Sequence, residues 1–139
     1  QRKWIEGYFK VPYSLRPILT ERMPNFRLSD HEIGVLADYM EQVFIADSIG
    51  HDVPVNEAAA AKGKLLYEER FACQGCHQVN GKGGYVGPPL DKVASRLQPG
   101  WMFHWLKNPQ AFKPESIEPN NNLTDQEAEA LTAYLMTFK

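Results

Sequence analysis

The chain of 139 residues has little of what several common protein classes require. No apolar run approaches the roughly 20 residues of a membrane-spanning helix. The formal net charge of −2 provides no electrostatic reason to bind nucleic acid or an anionic membrane surface. Two cysteines and four histidines leave few residues for a disulfide framework or a zinc site. The length predicts one domain of ordinary size, or one small domain with an extension.

Both cysteines lie in one short motif, Cys73-Gln74-Gly75-Cys76-His77. The spacing C-x-x-C-H is the signature of covalent c-type haem attachment, in which each thiol adds to a haem vinyl group and the following imidazole binds the iron. The motif therefore predicts one haem c, with Cys73 and Cys76 as covalent links and His77 as proximal iron ligand. One haem uses both thiols and leaves none for a disulfide.

Two other chemistries use a C-x-x-C pair. A redox dithiol of the thioredoxin type lies beside a βαβ pattern, and this sequence has no strand-rich region. A zinc site needs a second pair of ligands at a matching spacing, whereas His31, His51 and His104 are scattered singly. Haem attachment is the favoured interpretation. Because c-type haem is attached outside the cytoplasmic membrane, we expect an extracytoplasmic location, in the periplasm or on the outer face of the membrane.

Helix signals surround the motif. An asparagine N-cap begins a predicted helix over residues 56–71, and Gly63 inside it indicates close approach of another helix. The glycine-rich segment 80–84 predicts a loop. Residues 101–107 are predicted to form a helix that ends before a proline. A capping box at 124–127 begins a terminal helix.

With these parts in order, residues 56–139 resemble a class I cytochrome c domain. The resemblance implies an all-α fold in which the two terminal helices cross beside the haem, here near Gly63 and Tyr134. It also implies that the carbonyl of Pro88, in the Gly-Pro-Pro-Leu segment, accepts a hydrogen bond from the proximal histidine and raises its basicity. The expected haem contacts are Tyr85, Pro88, Leu90 and Trp105.

The resemblance breaks down at the sixth iron ligand. The family usually supplies a methionine from a P-x-x-x-M-P segment, and the corresponding stretch here, residues 114–119, has Glu118 in that place. A carboxylate is a hard ligand and a poor substitute for a thioether on ferrous haem. We therefore expect Glu118 to be a solvated surface residue and not a ligand.

The first part of the chain repeats the last third. Residues 4–17 align with 101–114, and residues 24–39 align with 119–134, with a two-residue length difference between the two blocks. The repeat includes a second capping box at Ser29. Residues 1–47 therefore look like the C-terminal half of a second cytochrome c domain, residues 48–55 like a linker, and residues 56–139 like a complete domain.

Met23 is the candidate sixth ligand, because it stands in the first copy where the second has Glu118. Three outcomes are open. Met23 completes the coordination of the haem at His77, or it serves a second haem whose C-x-x-C-H lies upstream or on another chain. In the third outcome it only packs in a vestigial half-domain.

The resemblance implies electron transfer by a single haem, in a respiratory or other redox chain. The chain is then not an enzyme by itself, although it can be a subunit of an oxidoreductase complex. Its expected partners are redox proteins, a larger membrane-associated complex or a second haem-bearing chain. The alternative is a haem protein with an open or labile sixth site that reacts with a gas or a peroxide.

Overall fold

The structure, a computed structural model, describes residues 2–14, 23–44 and 49–139. These residues form helices and one very short strand pair. The α-helices and strands in chain order are α1 (Arg2–Lys10), α2 (Asp30–Val43), α3 (Glu57–Leu65), β1 (Gln78–Val79), β2 (Lys82–Gly83), α4 (Val93–Arg96), α5 (Pro99–Lys107), α6 (Pro109–Phe112) and α7 (Asp125–Leu135). A π-helical turn (Leu66–Arg70) continues α3, so the predicted helix over residues 56–71 is α-helical only in its first part, and a 3₁₀ turn (Cys73–Gly75) follows in the motif. The all-α fold class is confirmed.

Residues 56–139, here called the second unit, begin with α3 and end with α7, and these two terminal helices cross in close contact. Gly63 is buried at the crossing, and a Cβ there would overlap the carbonyl oxygen of Ala130 and come within 2.8 Å of the Tyr134 Cβ. A residue without a side chain is therefore required for the two backbones to approach this closely. The predicted crossing near Gly63 and Tyr134 is confirmed.

The predicted caps at Asn56, Ser29 and Thr124 are confirmed, whereas α5 begins at Pro99, two residues before the predicted residue 101. The Asn56 side chain accepts a hydrogen bond from the third residue of α3. At α2 the Glu32 N–H donates to Ser29 Oγ at 3.3 Å, and the Ser29 N–H donates to the Glu32 carboxylate at 2.8 Å. The same reciprocal pair at α7 joins Thr124 and Glu127 at 3.3 and 2.9 Å. Both capping boxes satisfy backbone N–H groups that a helix leaves unpaired.

The segment after His77 differs from the predicted loop, because it contains a hairpin. Strands β1 and β2 pair antiparallel, and the two residues between them, Asn80 and Gly81, have φ values of 51° and 71°. Positive φ at both central residues is the requirement of a type I′ turn, for which Asn-Gly is the preferred sequence. The dipeptide was the signal for this hairpin.

The N-terminal helices contact each other and the second unit. Helix α1 lies against α2 and also touches α4. The Arg2 guanidinium donates to Asp38 at 2.6 Å and to Glu41 at 2.7 Å, which ties α1 to α2 at the surface. Exposed ion pairs of this kind contribute little stability.

The segment 49–55, predicted to be a linker, packs onto the second unit. Val53 is buried in its hydrophobic core. The His51 ring stacks on Phe103 with 3.7 Å between ring centroids, and its Nε2 lies 3.1 Å from Glu129 Oε1. The predicted boundary at residues 47 and 48 falls outside the described residues. The division into a half-domain and a complete domain stays a prediction.

Candidate haem site

The C-x-x-C-H motif follows an abrupt end to the first helix of the second unit. The Phe71 N–H donates to the carbonyl of Leu66, five residues back, at 2.9 Å. Ala72 then takes a left-handed conformation with φ 48°, which reverses the chain direction. In the tight turn that follows, the His77 N–H donates to the Cys73 carbonyl at 3.0 Å. The turn holds both motif ends together and directs His77 inward.

The His77 side chain is buried and held by a defined hydrogen bond. Its Nδ1 lies 2.8 Å from the carbonyl oxygen of Pro88, so the predicted bond is present. Gly87 makes room for the ring, because a Cβ there would come within 2.8 Å of Nε2. With Nδ1–H donating to Pro88, the lone pair of a neutral imidazole lies on Nε2, the atom that can bind a metal.

A cavity of about 590 Å³ lies beside His77, within the size range of ligand sites. Its lining is mostly apolar and includes Cys73. Other members of the lining are Tyr67, Leu90, Val93, Trp101, Trp105 and Leu131. Pro88, Leu90 and Trp105, three of the four expected haem contacts, are in this lining. An apolar cavity at a motif histidine suits a large, flat, mostly apolar cofactor.

Tyr85, the fourth expected contact, is not brought to the cavity. Its side chain is 65% exposed, and it is not in the cavity lining. It follows Gly84, whose backbone lies against Gly75 and Cys76, so the chain at this point passes along the outside of the motif. Tyr85 is therefore removed from the set of haem contacts.

Trp4 is a lining residue that sequence reasoning missed. It belongs to α1, in the N-terminal half of the chain, yet it borders the cavity of the second unit. Its indole stacks on Tyr8 with 5.2 Å between centroids, and its Nε1–H donates to the Tyr13 hydroxyl at 3.2 Å. The alignment of Trp4 with Trp101 was the available signal, but it did not indicate that both copies face one cavity.

Glu118 is the main correction to the sequence analysis. It is not a solvated surface residue, because its side chain is only 24% exposed and Oε2 lies 3.2 Å from His77 Nε2. The Gln110 amide donates to the carbonyls of Ser116 and Glu118, at 3.1 and 2.7 Å, and folds this loop over the cavity. Burial opposes protonation of His77, but the hydrogen bonds with Glu118 and Pro88 outweigh it and raise the His77 pKa.

Met23 is half-buried, and among the described residues it does not line the cavity. Its role as a sixth ligand stays a prediction. His51 is held by its stacking on Phe103, away from the lining. Met102 does border the cavity, with its side chain 3% exposed in the hydrophobic core.

Cys73 does not have the lowered thiol pKa of a reactive dithiol. Burial raises the pKa of the Cys73 thiol to about 11, and the Glu118 carboxylate acts in the same direction. Reactive dithiols depend on a lowered thiol pKa. The redox-dithiol interpretation of C-x-x-C therefore loses support. Within the described residues, no group of three or more His, Cys, Asp or Glu side chains is arranged to hold a metal ion.

The comparison with protein families decides the class. The model of the cytochrome c family matches residues 60–139. The chain belongs to the cytochrome c family. Members of this family carry c-type haem with its iron, so the cofactor is haem c and the chemistry is haem-based electron transfer. The cavity fits this group, since Cys73 and Nε2 of His77 adjoin it and the buried Tyr67 hydroxyl there has no hydrogen-bond partner within the described part of the chain.

Two curated proteins are similar to this chain. One is a nitric oxide reductase subunit of Paracoccus denitrificans, 34% identical over 87 residues, which are 56% of this chain and 57% of that protein. The other is cytochrome c oxidase subunit 2 of Alkalihalophilus pseudofirmus, 30% identical over 92 residues, which are 60% of this chain and 27% of that protein. This cytochrome c thus spans about half the length of one relative and a quarter of the other. No solved structure matches the chain.

Both relatives are named as subunits of an oxidase or a reductase. In the parts of this chain that the structure describes, no helix has the length and apolar character needed to cross a membrane.

Proposed function

We propose that this cytochrome c transfers single electrons through one haem, attached by thioether bonds to Cys73 and Cys76 and ligated by His77. The observation that carries the proposal is the setting of His77: a buried ring, held at Nδ1 by the Pro88 carbonyl, whose Nε2 would ligate the iron and lies 3.2 Å from Glu118 Oε2 in this structure. When bound, the haem iron supplies the chemistry by alternating between the ferric and ferrous states.

The protein residues support this role by orientation and exclusion of water. The Pro88 carbonyl keeps the His77 ring in one orientation and raises its basicity. The apolar lining excludes water from the haem faces and so influences the reduction potential. Cys76 is exposed while Cys73 is half-buried, so the attached edge of the haem reaches the surface where a redox partner can approach.

The test is the mass and absorption of the chain produced with the c-type haem maturation machinery. We expect the intact mass to exceed the polypeptide mass by one haem, and the double variant Cys73→Ser with Cys76→Ser to lose the covalent haem. The variant His104→Ala, which leaves the motif intact, is the matched control and should keep it. A wild-type chain with the bare polypeptide mass and two free thiols would reject the proposal.

The respiratory setting is also a proposal. The names of the two relatives support a place in a respiratory oxidoreductase complex, with redox proteins as partners. Covalent haem attachment supports an extracytoplasmic location, in the periplasm or at the outer face of the membrane. Fractionation of the native cells should place the haem-staining chain outside the cytoplasm. Recovery of the haem-bearing chain in the cytoplasmic fraction would contradict this location.

The exposed face of α2 supports a further proposal, that an additional haem-bearing unit packs against residues 1–47. In α7 the residues Ala130 and Tyr134 lie under α3 at Gly63. The aligned residues of α2, Val35 and Tyr39, are 53% and 55% exposed. We propose that residues 1–47 are the C-terminal half of an additional cytochrome c unit. A helix like α3, from the haem-binding half of that additional unit, would cover this face of α2. Met23 would then ligate the haem of that additional unit and not the haem at His77.

Counting the haems in the native assembly tests whether this additional unit is present. We expect two haems for each copy of this chain, and the variant Val35→Asp should release the second one. Val11→Asp is the control, since Val11 is 65% exposed and lies off this face. One haem per copy, with no effect of Val35→Asp, would contradict the proposal.

A second candidate function is reaction with a gas or a peroxide at a labile sixth site. The observation that favours it is that Glu118, and not a methionine, contacts His77 Nε2. Carbon monoxide binding to the reduced protein tests it: uptake supports a labile sixth site, and no uptake contradicts it.

A further inference from the structure

The loop that carries Glu118 is held firmly over the cavity. Besides the two hydrogen bonds from Gln110, the Glu118 N–H donates to Ser116 Oγ at 3.2 Å. Ile117 and Glu118 both border the cavity. Three hydrogen bonds, two of them from Gln110 in α6, therefore fix the loop backbone around Glu118. The loop conformation directs the Glu118 carboxylate toward His77.

The carboxylate faces the one atom of His77 that can bind iron. Its Oε2 lies 3.2 Å from Nε2, whereas Nδ1 is taken by Pro88 at 2.8 Å. Bonds from a first-row metal to an imidazole nitrogen and to a carboxylate oxygen are each about 2 Å. An iron between the two atoms would thus separate them to about 4 Å, a retreat of about 1 Å for a side chain with three rotatable bonds.

Other donors are less suitable within the described residues. Met23 does not line the cavity, and Met102 is part of the hydrophobic core cluster with its side chain almost fully buried. The carboxylate also matches one oxidation state better than the other. Ferric iron is the harder ion and favours a carboxylate oxygen, while ferrous iron favours softer ligands.

We propose that Glu118 is the sixth ligand of the ferric haem and that it dissociates on reduction. When an electron donor reduces the iron, the ferric ion becomes ferrous, the iron–oxygen bond breaks, and Glu118 keeps the bonding electron pair as a free carboxylate. The ferrous haem is then five-coordinate and open to carbon monoxide. This inference rests on the proposed attachment of haem at Cys73, Cys76 and His77.

The test compares haem-loaded wild type with Glu118→Gln, Glu118→Met and the control Glu69→Gln, whose residue is exposed and lies outside the cavity lining. The covalent haem content of each protein is measured first by mass. Absence of haem in the wild type rejects the proposed function, and it is read separately from the ligand assignment.

We expect the ferric wild type to lack the far-red sulfur-to-iron band and the ferrous form to bind carbon monoxide. Glu118→Gln should change the ferric spin-state spectrum and speed cyanide binding at least tenfold. Glu118→Met should create the far-red band and slow carbon monoxide binding at least tenfold, while Glu69→Gln matches the wild type. A far-red band in the wild type, lost in Met23→Ala, would overturn the proposal. So would a Glu118→Gln protein with the cyanide rate and ferric spectrum of the wild type.

Discussion

The two copies of the internal repeat have the same local structures. Trp4 stacks on Tyr8 with 5.2 Å between centroids and 17° between ring planes, and Trp101 stacks on Trp105 with 5.2 Å and 16°. The capping boxes at Ser29 and Thr124 have matching hydrogen bonds. The helix itself sets the contacts between residues three or four positions apart. Residues of the same chemical kind at those positions therefore have the same geometry in both copies.

The burial of the two copies is different. Only Ile33 and Ala37 are buried in α2, whereas six residues are buried in α7. Helix α7 lies under α3 and also contacts α5. Helix α2 contacts α1, but among the described residues no helix covers it in the way that α3 covers α7. The residue pattern of a helix therefore decides where it begins and which face is apolar. Whether that face is buried depends on a second helix that packs against it.

Leucine truncation at the aligned positions should separate the copies most clearly. Leu131 is 2% exposed and Leu36 is 38% exposed. Leu131→Ala should lower the free energy of unfolding by about 2–5 kcal/mol through a cavity, and Leu36→Ala by at most about 1 kcal/mol. Urea denaturation of the haem-loaded chain measures both. Equal losses would mean that α2 is as well covered as α7, and would contradict the exposed face.

Alanine substitution at two helix glycines should give opposite signs. A Cβ at Gly63 would overlap α7, whereas nothing lies within 4 Å of a Cβ at Gly34. Gly63→Ala should lower the free energy of unfolding by about 1–3 kcal/mol through overpacking. Gly34→Ala should raise the stability of α2 by about 0.5–1 kcal/mol through helix propensity. Thermal unfolding compares them, and an unchanged midpoint for Gly63→Ala would place the helix crossing elsewhere.

Substitution of the two aligned tryptophans should affect one haem. Trp4 and Trp101 both border the cavity although they belong to different copies. Trp4→Leu and Trp101→Leu should each alter the Soret circular dichroism of the bound haem, because that signal depends on nearby aromatic rings. Tyr13→Phe, which removes the hydrogen bond to Trp4 but keeps the indole, is the control. A Soret signal unaffected by Trp4→Leu would mean that Trp4 of α1 does not lie beside the haem.

Acid should weaken both capping boxes in the same direction. Hydrogen bonds from Ser29 lower the pKa of Glu32, and hydrogen bonds from Thr124 lower the pKa of Glu127. A carboxylate with a lowered pKa stabilises the folded state above its unfolded pKa of about 4.3, and this contribution is lost as the pH falls through the lower folded pKa.

Glu32 is exposed, and the half-buried Glu127 is also paired with the exposed Arg70, so the expected effect is small. Helix content followed by far-ultraviolet circular dichroism from pH 6 to pH 3 should fall less steeply in Glu32→Gln and in Glu127→Gln, since glutamine keeps the cap without titrating. Acid curves identical to the wild type in both variants would remove the carboxylates from the acid response.

Several features could be predicted because a few neighbouring residues decide them. The C-x-x-C-H motif, the caps at Asn56 and Thr124, and the glycine at the α3–α7 crossing each carry their own signal. The hairpin at Asn80-Gly81 had such a signal as well, since its turn type follows from the dipeptide. These features depend on backbone conformations that specific residue types favour, so a single sequence is enough.

Residues adjacent in the chain specify the cofactor chemistry, the all-α class and the capped helix starts. The packing of the folded chain brings distant residues together at the cavity. Glu118 contacts His77 from 41 positions away, and Trp4 arrives from the other copy of the repeat. Tyr85, close to the motif in sequence, lies outside the cavity. Long-range contacts result from the packing of whole helices and loops, and no short pattern of residues encodes them.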